Sequence, residues 1–168
     1  MAVRMELSRI FIRELNDIQI IELTERDGTR TFPIVIGLPE AMAIERRLKG
    51  IVVPRPQTHD LLASVIRHLG ATLVGIEIHD LSEGTFFARL VLERDGETVH
   101  VDSRPSDAIA LGIAEGVPIE VSERVLDEAR ANPPAAAGGA GSEGLEVDFD
   151  AIEDDDDEAD GDGDRPWT

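Results

Sequence analysis

Residues 37–50, "GLPEAMAIERRLKG", and residues 103–116, "SRPSDAIALGIAEG", limit the fold most strongly, because the same run of signals occurs twice, 66 positions apart. Each stretch has a proline, an acid within the next two positions, a body of Ala, Met, Ile and Leu, and a closing glycine. Pro39 and Pro105 suit the first turn of a helix, where the missing N–H costs nothing, and Gly50 and Gly116 suit the left-handed residue that ends one. Gly70 closes a later helix in the same way. Upstream, "ELTERDGTRT" (22–31) and "LVLERDGETV" (90–99) place the same Glu-Arg-Asp-Gly turn between β-rich runs at an offset of 68. Asp27-Gly28 and Asp95-Gly96 therefore predict tight hairpins. Downstream, "IVVP" precedes "THDLLASVIRHLG" and "VPIEV" precedes "SERVLDEARA", a short apolar run and then a helix. The pattern predicts an α+β fold: an internally duplicated strands-helix-strand-helix unit, with copies at 4–69 and 71–130, whose mainly antiparallel sheet packs against helices.

The chain of 168 residues has room for one domain, and its 42% of hydrophobic residues suffices for a core. The formal charge of −19 is uneven: residues 1–132 carry −7 and residues 133–168 carry −12. The second stretch, with its Pro, Ala and Gly lead-in and its "EDDDDEADGDGD" run, has little apolar surface beyond Phe149, Ile152 and Trp167. It is expected to be a disordered acidic tail following a folded domain at 1–132. Such a tail could bind a basic partner, or mimic and compete with nucleic acid. The absence of cysteine excludes disulfides and thiolate metal sites, and no apolar run is long enough to span a bilayer, so a cytoplasmic protein without membrane contact is expected.

The doubled pattern also serves as an internal control for residues 101–112, "VDSRPSDAIALG". Asp102, Arg104, Ser106 and Asp107 stand where the first copy has Ile36, Leu38, Glu40 and Ala41, so starting this helix needs only the proline and one acid. An acid in the first turn gains about 0.3–1 kcal/mol from the helix dipole, which accounts for Asp107 but not for Arg104 or Asp102. Two explanations stay open. Either Arg104 bonds Asp102 or Asp107 while Ser106 satisfies a backbone N–H, or the cluster is a phosphate-binding corner, with an arginine fork beside free N–H groups. "RPQTHDLLASV" (55–65) repeats the arrangement: Arg55, Thr58 as N-cap, Asp60 in the first turn, and His59 with no capping duty and a ring able to move a proton near neutral pH. Strand alternation would add a polar sheet face of Glu77, His79, Arg89, His100 and Asp102.

The three blocks "RPQTHDLL", "LSEGTFFARLVLE" and "VDSRPSDAIALGIAEGVPIEV" resemble the bifunctional nuclease domain family, over roughly residues 4–130. The resemblance rests on Arg55, Thr58, His59 and Asp60, on Gly84, Thr85 and Phe86, and on Asp102, Arg104, Pro105, Ser106 and Asp107. Glu115 departs from it, standing where the family pattern commonly has a basic residue. The resemblance implies a nuclease acting on DNA and RNA. In that reading His59, Asp60, Asp102 and Asp107 are the catalytic candidates, and Arg55, Thr58, Arg104 and Ser106 bind phosphate. Asp60, Asp102 and Asp107 are also the candidates for holding a divalent cation such as magnesium or manganese. The competing expectation is a non-catalytic binding or regulatory module with the acidic tail as its regulator. The exposed strand edges of a doubled unit make a homo-oligomer a further expectation.

Overall fold

Helix α3 (Pro105–Glu115) is apolar on nearly every side, and a helix of that kind must be enclosed. In the computed structural model, which describes residues 1–12, 18–131 and 145–148, Ser106 and every residue from Ala108 to Gly112 are buried. The elements that enclose α3 are the strands β1 (Ala2–Ile12), β2 (Ile18–Glu25), β3 (Thr31–Gly37), β4 (Thr72–Ser82), β5 (Thr85–Arg94), β6 (Glu97–Ser103) and β7 (Ile119–Ser122), with helices α1 (Leu38–Leu48), α2 (Thr58–His68) and α4 (Glu123–Ala131). The strands form one sheet in the order β3-β2-β1-β7-β4-β5-β6, antiparallel throughout except for the β4–β7 pair. Its buried face carries Ile21 and Leu23, Met5 and Ile10, Val121, Ile76 and Ile78, and Ala88 and Leu90, one set per strand from β2 to β5. The sheet curls until Phe32 of β3 and Phe86 of β5 meet with ring centroids 5.7 Å apart. Helix α4 touches both β3 and β4 inside that curl.

The architecture is the α+β fold that the sequence predicts, with each half running three antiparallel strands into helices. The internal duplication expected from the sequence is not established by the fold, and the two halves differ. Residues 51–53 form no strand, whereas their counterpart in the second half is β7. The reason lies in the sheet: β7 occupies the slot between β1 and β4, pairing with both, and leaves no equivalent position. Val52 is consequently 91% exposed. The two Asp-Gly turns differ as well. Asp95 (φ +54°) and Gly96 (φ +80°) make the tight two-residue hairpin that left-handed backbone favours. Asp27-Gly28 instead lies in a longer connection whose Arg30 reaches Glu25 at 2.9 Å and Glu123 of α4 at 2.7 Å. Gly50, Gly70 and Gly116 all take positive φ at helix ends, as their positions predict.

Alternation along β4 is broken by bulges between Leu73 and Gly75 and between Ile78 and Asp80. The buried set on β4 is therefore Leu73, Ile76, Ile78 and Leu81, and Val74 is half-buried. Of the expected polar face, Glu77, Arg89 and Asp102 stand in one cross-strand row, and Arg89 donates to Glu77 at 2.6 Å. His100 falls opposite Val91. Within the expected tail, residues Leu145–Asp148 pair antiparallel with Arg9–Ile12 of β1 as strand β8, beside the stretch that β7 leaves open. The rest of that tail, with Phe149, Ile152 and Trp167, lies outside the described residues.

The helix–sheet approach is closest at Gly112, where a Cβ would stand 3.2 Å from Ile76 Cδ1, itself fully buried. A Gly112→Val chain is expected to lose about 1–3 kcal/mol, read as a lower urea midpoint at unchanged slope. An unchanged midpoint would show that α3 can shift off the sheet without cost.

Candidate functional site

Burying α3 between the sheet, α1 and α2 brings three helix beginnings together. From α2 comes His59, from α3 come Arg104 and Asp107, and from α1 comes Glu40. His59 Nε2 lies 3.0 Å from Asp107 Oδ1. Arg104 donates through Nε to Asp107 Oδ2 at 2.7 Å and through Nη2 to Asp107 Oδ1 at 3.1 Å and Glu40 Oε1 at 2.6 Å. The two helix starts singled out in the sequence are thus in direct contact although 48 residues apart. In the sequence Glu40 reads only as a helix-start acid. The signal for its role was the doubled pattern itself, which sets Glu40 against Ser106 at the same offset.

This cluster forms the rim of an open groove of about 640 Å³. Thr58, His59, Ser103, Arg104 and Asp107 supply the polar side, and Leu62, Ile66, Leu90, Leu92 and Val101 supply an aliphatic floor. Burial alone would push the Asp107 carboxyl up, but hydrogen bonds from Arg104 and His59, with their charges, hold it below the usual aspartate value. An ionised Asp107 can only accept, so the His59 Nε2 carries the proton and Nδ1 of a neutral ring is left basic. Arg104 is held firmly in its charged form by Asp107 and Glu40. Its two Nη1 hydrogens remain outside these bonds, on a side chain 66% exposed. The arrangement can therefore accept a proton at one nitrogen and offer a partly free guanidinium beside it.

The remaining sequence candidates go elsewhere. Thr58 lines the groove but is the first helical residue, not the cap: Gln57 is the N-cap, and its backbone N–H donates to Asp60 Oδ2 at 2.9 Å. Asp60 is turned away from His59 toward Arg46, whose Nη2 lies 3.1 Å from Oδ2, and toward Arg47. Asp102 sits at the groove's rim on β6, in register with Arg89. Ser106 is buried in the first turn of α3, and Arg55 is exposed in the segment leading to α2, neither of them lining the groove. Asp60, Asp102 and Asp107 therefore do not converge, and among the described residues no group of three or more His, Asp or Glu side chains could hold a metal. Among the described residues, the three candidate carboxylates therefore do not make one divalent-cation site.

A family model described as the bifunctional nuclease domain matches residues 21–134, and the chain belongs to that family. An uncharacterized protein of Mycobacterium tuberculosis is 44% identical over 110 residues, which cover 66% of this chain and 65% of that one. Bifunctional nuclease 1 of Oryza sativa subsp. japonica is 28% identical over 109 residues, covering 62% of this chain and 33% of the rice protein. Bifunctional nuclease 1 of Arabidopsis thaliana is 26% identical over 129 residues, covering 70% and 40%. The chain thus spans less than two thirds of the length of these curated relatives. No helix among the described residues is long and apolar enough to cross a membrane.

Because the folded-state pKa of Asp107 lies below that of an unfolded aspartate, near 3.9, its ionised form stabilises the fold above that pH, and the contribution fades as pH falls through the lower folded value. The stability gap between the wild-type chain and Asp107→Asn should be widest near neutrality and close progressively below about pH 4. Urea midpoints measured from about pH 7 down to pH 3 read this directly, and a gap independent of pH would contradict it.

Proposed function

We propose that the chain is a phosphodiesterase acting on single-stranded DNA or RNA, with His59 as the base that activates water. The observation that carries this reading is the 3.0 Å contact between His59 and an ionised Asp107 at the rim of an open groove, in a chain of the bifunctional nuclease domain family. In this mechanism His59 Nδ1 takes a proton from water as its oxygen bonds to phosphorus, and the bond to the leaving sugar oxygen breaks. That oxygen then receives a proton, from the imidazolium or from solvent. Asp107 keeps the ring in the required tautomer, Arg104 spreads charge off the non-bridging oxygens through Nη1, and Thr58 contributes a hydroxyl. The aliphatic floor of Leu62 and Val101 gives an unstacked base somewhere to lie beside its phosphate, which favours single strands over duplex.

One observation favours a second reading, a non-catalytic binding module. Arg104 is already engaged by two carboxylates, so with neutral His59 the cluster carries a formal charge of −1, and a phosphate must displace Glu40 to use Arg104 fully. Residues 1–132 also carry a net negative charge. In this reading the acidic run at 153–158 competes with nucleic acid for the groove, and exchanging Asp154 to Asp157 for Asn should tighten binding most at low salt.

The two readings separate in one assay. Full-length chain is incubated with single-stranded DNA and RNA, with magnesium, with manganese and with chelator. The catalytic reading expects turnover that falls by about 100-fold or more in a His59→Ala, Arg104→Ala double variant. Cleavage unchanged in that variant places the chemistry elsewhere, and saturable binding without cleavage selects the module.

A further inference from the structure

A second cavity lies on the other side of α2, between the end of α1, the connection at 50–56 and the end of α3, with a volume of about 620 Å³. Three arginines line it. Arg46 and Arg47 come from the last turn of α1 and Arg67 from the last turn of α2. Two carboxylates face them: Asp60 pairs with both Arg46 and Arg47, and Arg67 donates to Glu115 at 2.7 Å. Asp60 also accepts the Gln57 N–H, so its oxygens are fully used. The Nε–H groups of Arg46 and Arg47 are nevertheless buried without an acceptor. They have almost no surface toward the cavity, so what the cavity presents is the remainder of each guanidinium.

The charge in the cavity is unbalanced. Three guanidiniums against two carboxylates leave one positive charge in a recess where the Arg46 side chain is only 12% exposed. Arg47 holds its proton less tightly than an ordinary arginine, first because it is desolvated and then because Arg46 and Arg67 repel it. Water alone would leave that charge without a counter-ion. An anion supplies the counter-charge, and a phosphate offers more acceptor oxygens in fork-matching geometry than a carboxylate does. Beside the arginines, Ile51 and Val52 are 52% and 91% exposed, an apolar wall at the mouth of the same cavity. The volume lies within the range of pockets that hold nucleotide-sized molecules.

We propose that this cavity is a phosphate-binding site for a nucleotide-sized organic phosphate, held by Arg46, Arg47 and Arg67 with its organic part against Ile51 and Val52. The site is separate from the His59 groove and stands or falls independently of it. Its phosphate could belong to a free mononucleotide or to the end of a nucleic-acid strand.

Titration calorimetry of the full chain at low ionic strength tests this with adenosine monophosphate, adenosine, inorganic phosphate and a short 5′-phosphorylated oligonucleotide. Saturable one-to-one binding of the monophosphate is expected, with adenosine silent and inorganic phosphate weaker. Whichever of the monophosphate and the oligonucleotide binds more tightly identifies the source of the phosphate. Arg47→Gln should weaken binding about tenfold or more, and Glu115→Gln, which frees Arg67, should tighten it several-fold. His59→Ala should leave the affinity unchanged. Circular dichroism checks that Arg47→Gln is folded; if it is not, the surface change Glu115→Gln decides alone. No saturable binding to the folded wild-type chain would overturn the site, as would affinity indifferent to these substitutions or lost in His59→Ala. Inorganic phosphate binding as tightly as the nucleotide would remove the apolar wall from it.

Discussion

The enclosure of α3 governs the rest of the molecule. A helix of Ala, Ile, Leu and Gly with so little polar surface has no stable position at a sheet's outer face, and Gly112 lets it settle directly onto Ile76. Once it is there, α1 and α2 must cover its other side. Their first turns then fall beside its own, so a packing requirement assembles a polar cluster from residues 40, 59, 104 and 107. The chemistry at the rim is in this sense a by-product of hydrophobic burial. The aliphatic floor of the groove is the same core seen from outside.

Much of this was legible in the sequence, and the exceptions have physical causes. The α+β class, the helix boundaries marked by Pro39, Pro105, Gly50 and Gly116, and the surplus polarity around Arg104 could all be read from local signals. Residues 51–53 misled because an apolar run carries no information about whether a strand slot remains vacant. Asp27-Gly28 and Asp95-Gly96 are the same dipeptide in different turns, because Arg30 ties the first connection to α4, more than ninety residues away. Asp60 resembled His59 in its prospects until the helix was placed. Consecutive helical residues lie roughly 100° apart, enough to send one to Asp107 and the other to Arg46 and Arg47. Arg46 and Arg47 gave no distinctive signal, since basic residues in a helix's last turn are commonplace.

The two cavities differ in the way they hold charge. Around Asp107 one guanidinium serves two carboxylates, so with His59 neutral the cluster is net negative, and of its four side chains only Arg104 is largely exposed. Around Asp60 the cations outnumber their partners, and two of their donors are sealed from water. Both cavities draw on α2, through neighbouring residues 59 and 60. A movement of that one helix would alter both at once.

Strand β8 has a consequence of a different kind. Where β7 ends, the flank of β1 at residues 9–12 would display bare amide and carbonyl groups beside the fully buried Ile10, and residues 145–148 cover that flank. The C-terminal stretch thus works as a splint as well as a carrier of charge. Chains clipped before it would expose a ready template for cross-molecular pairing, and at high concentration the shortened species would be the one that clumps.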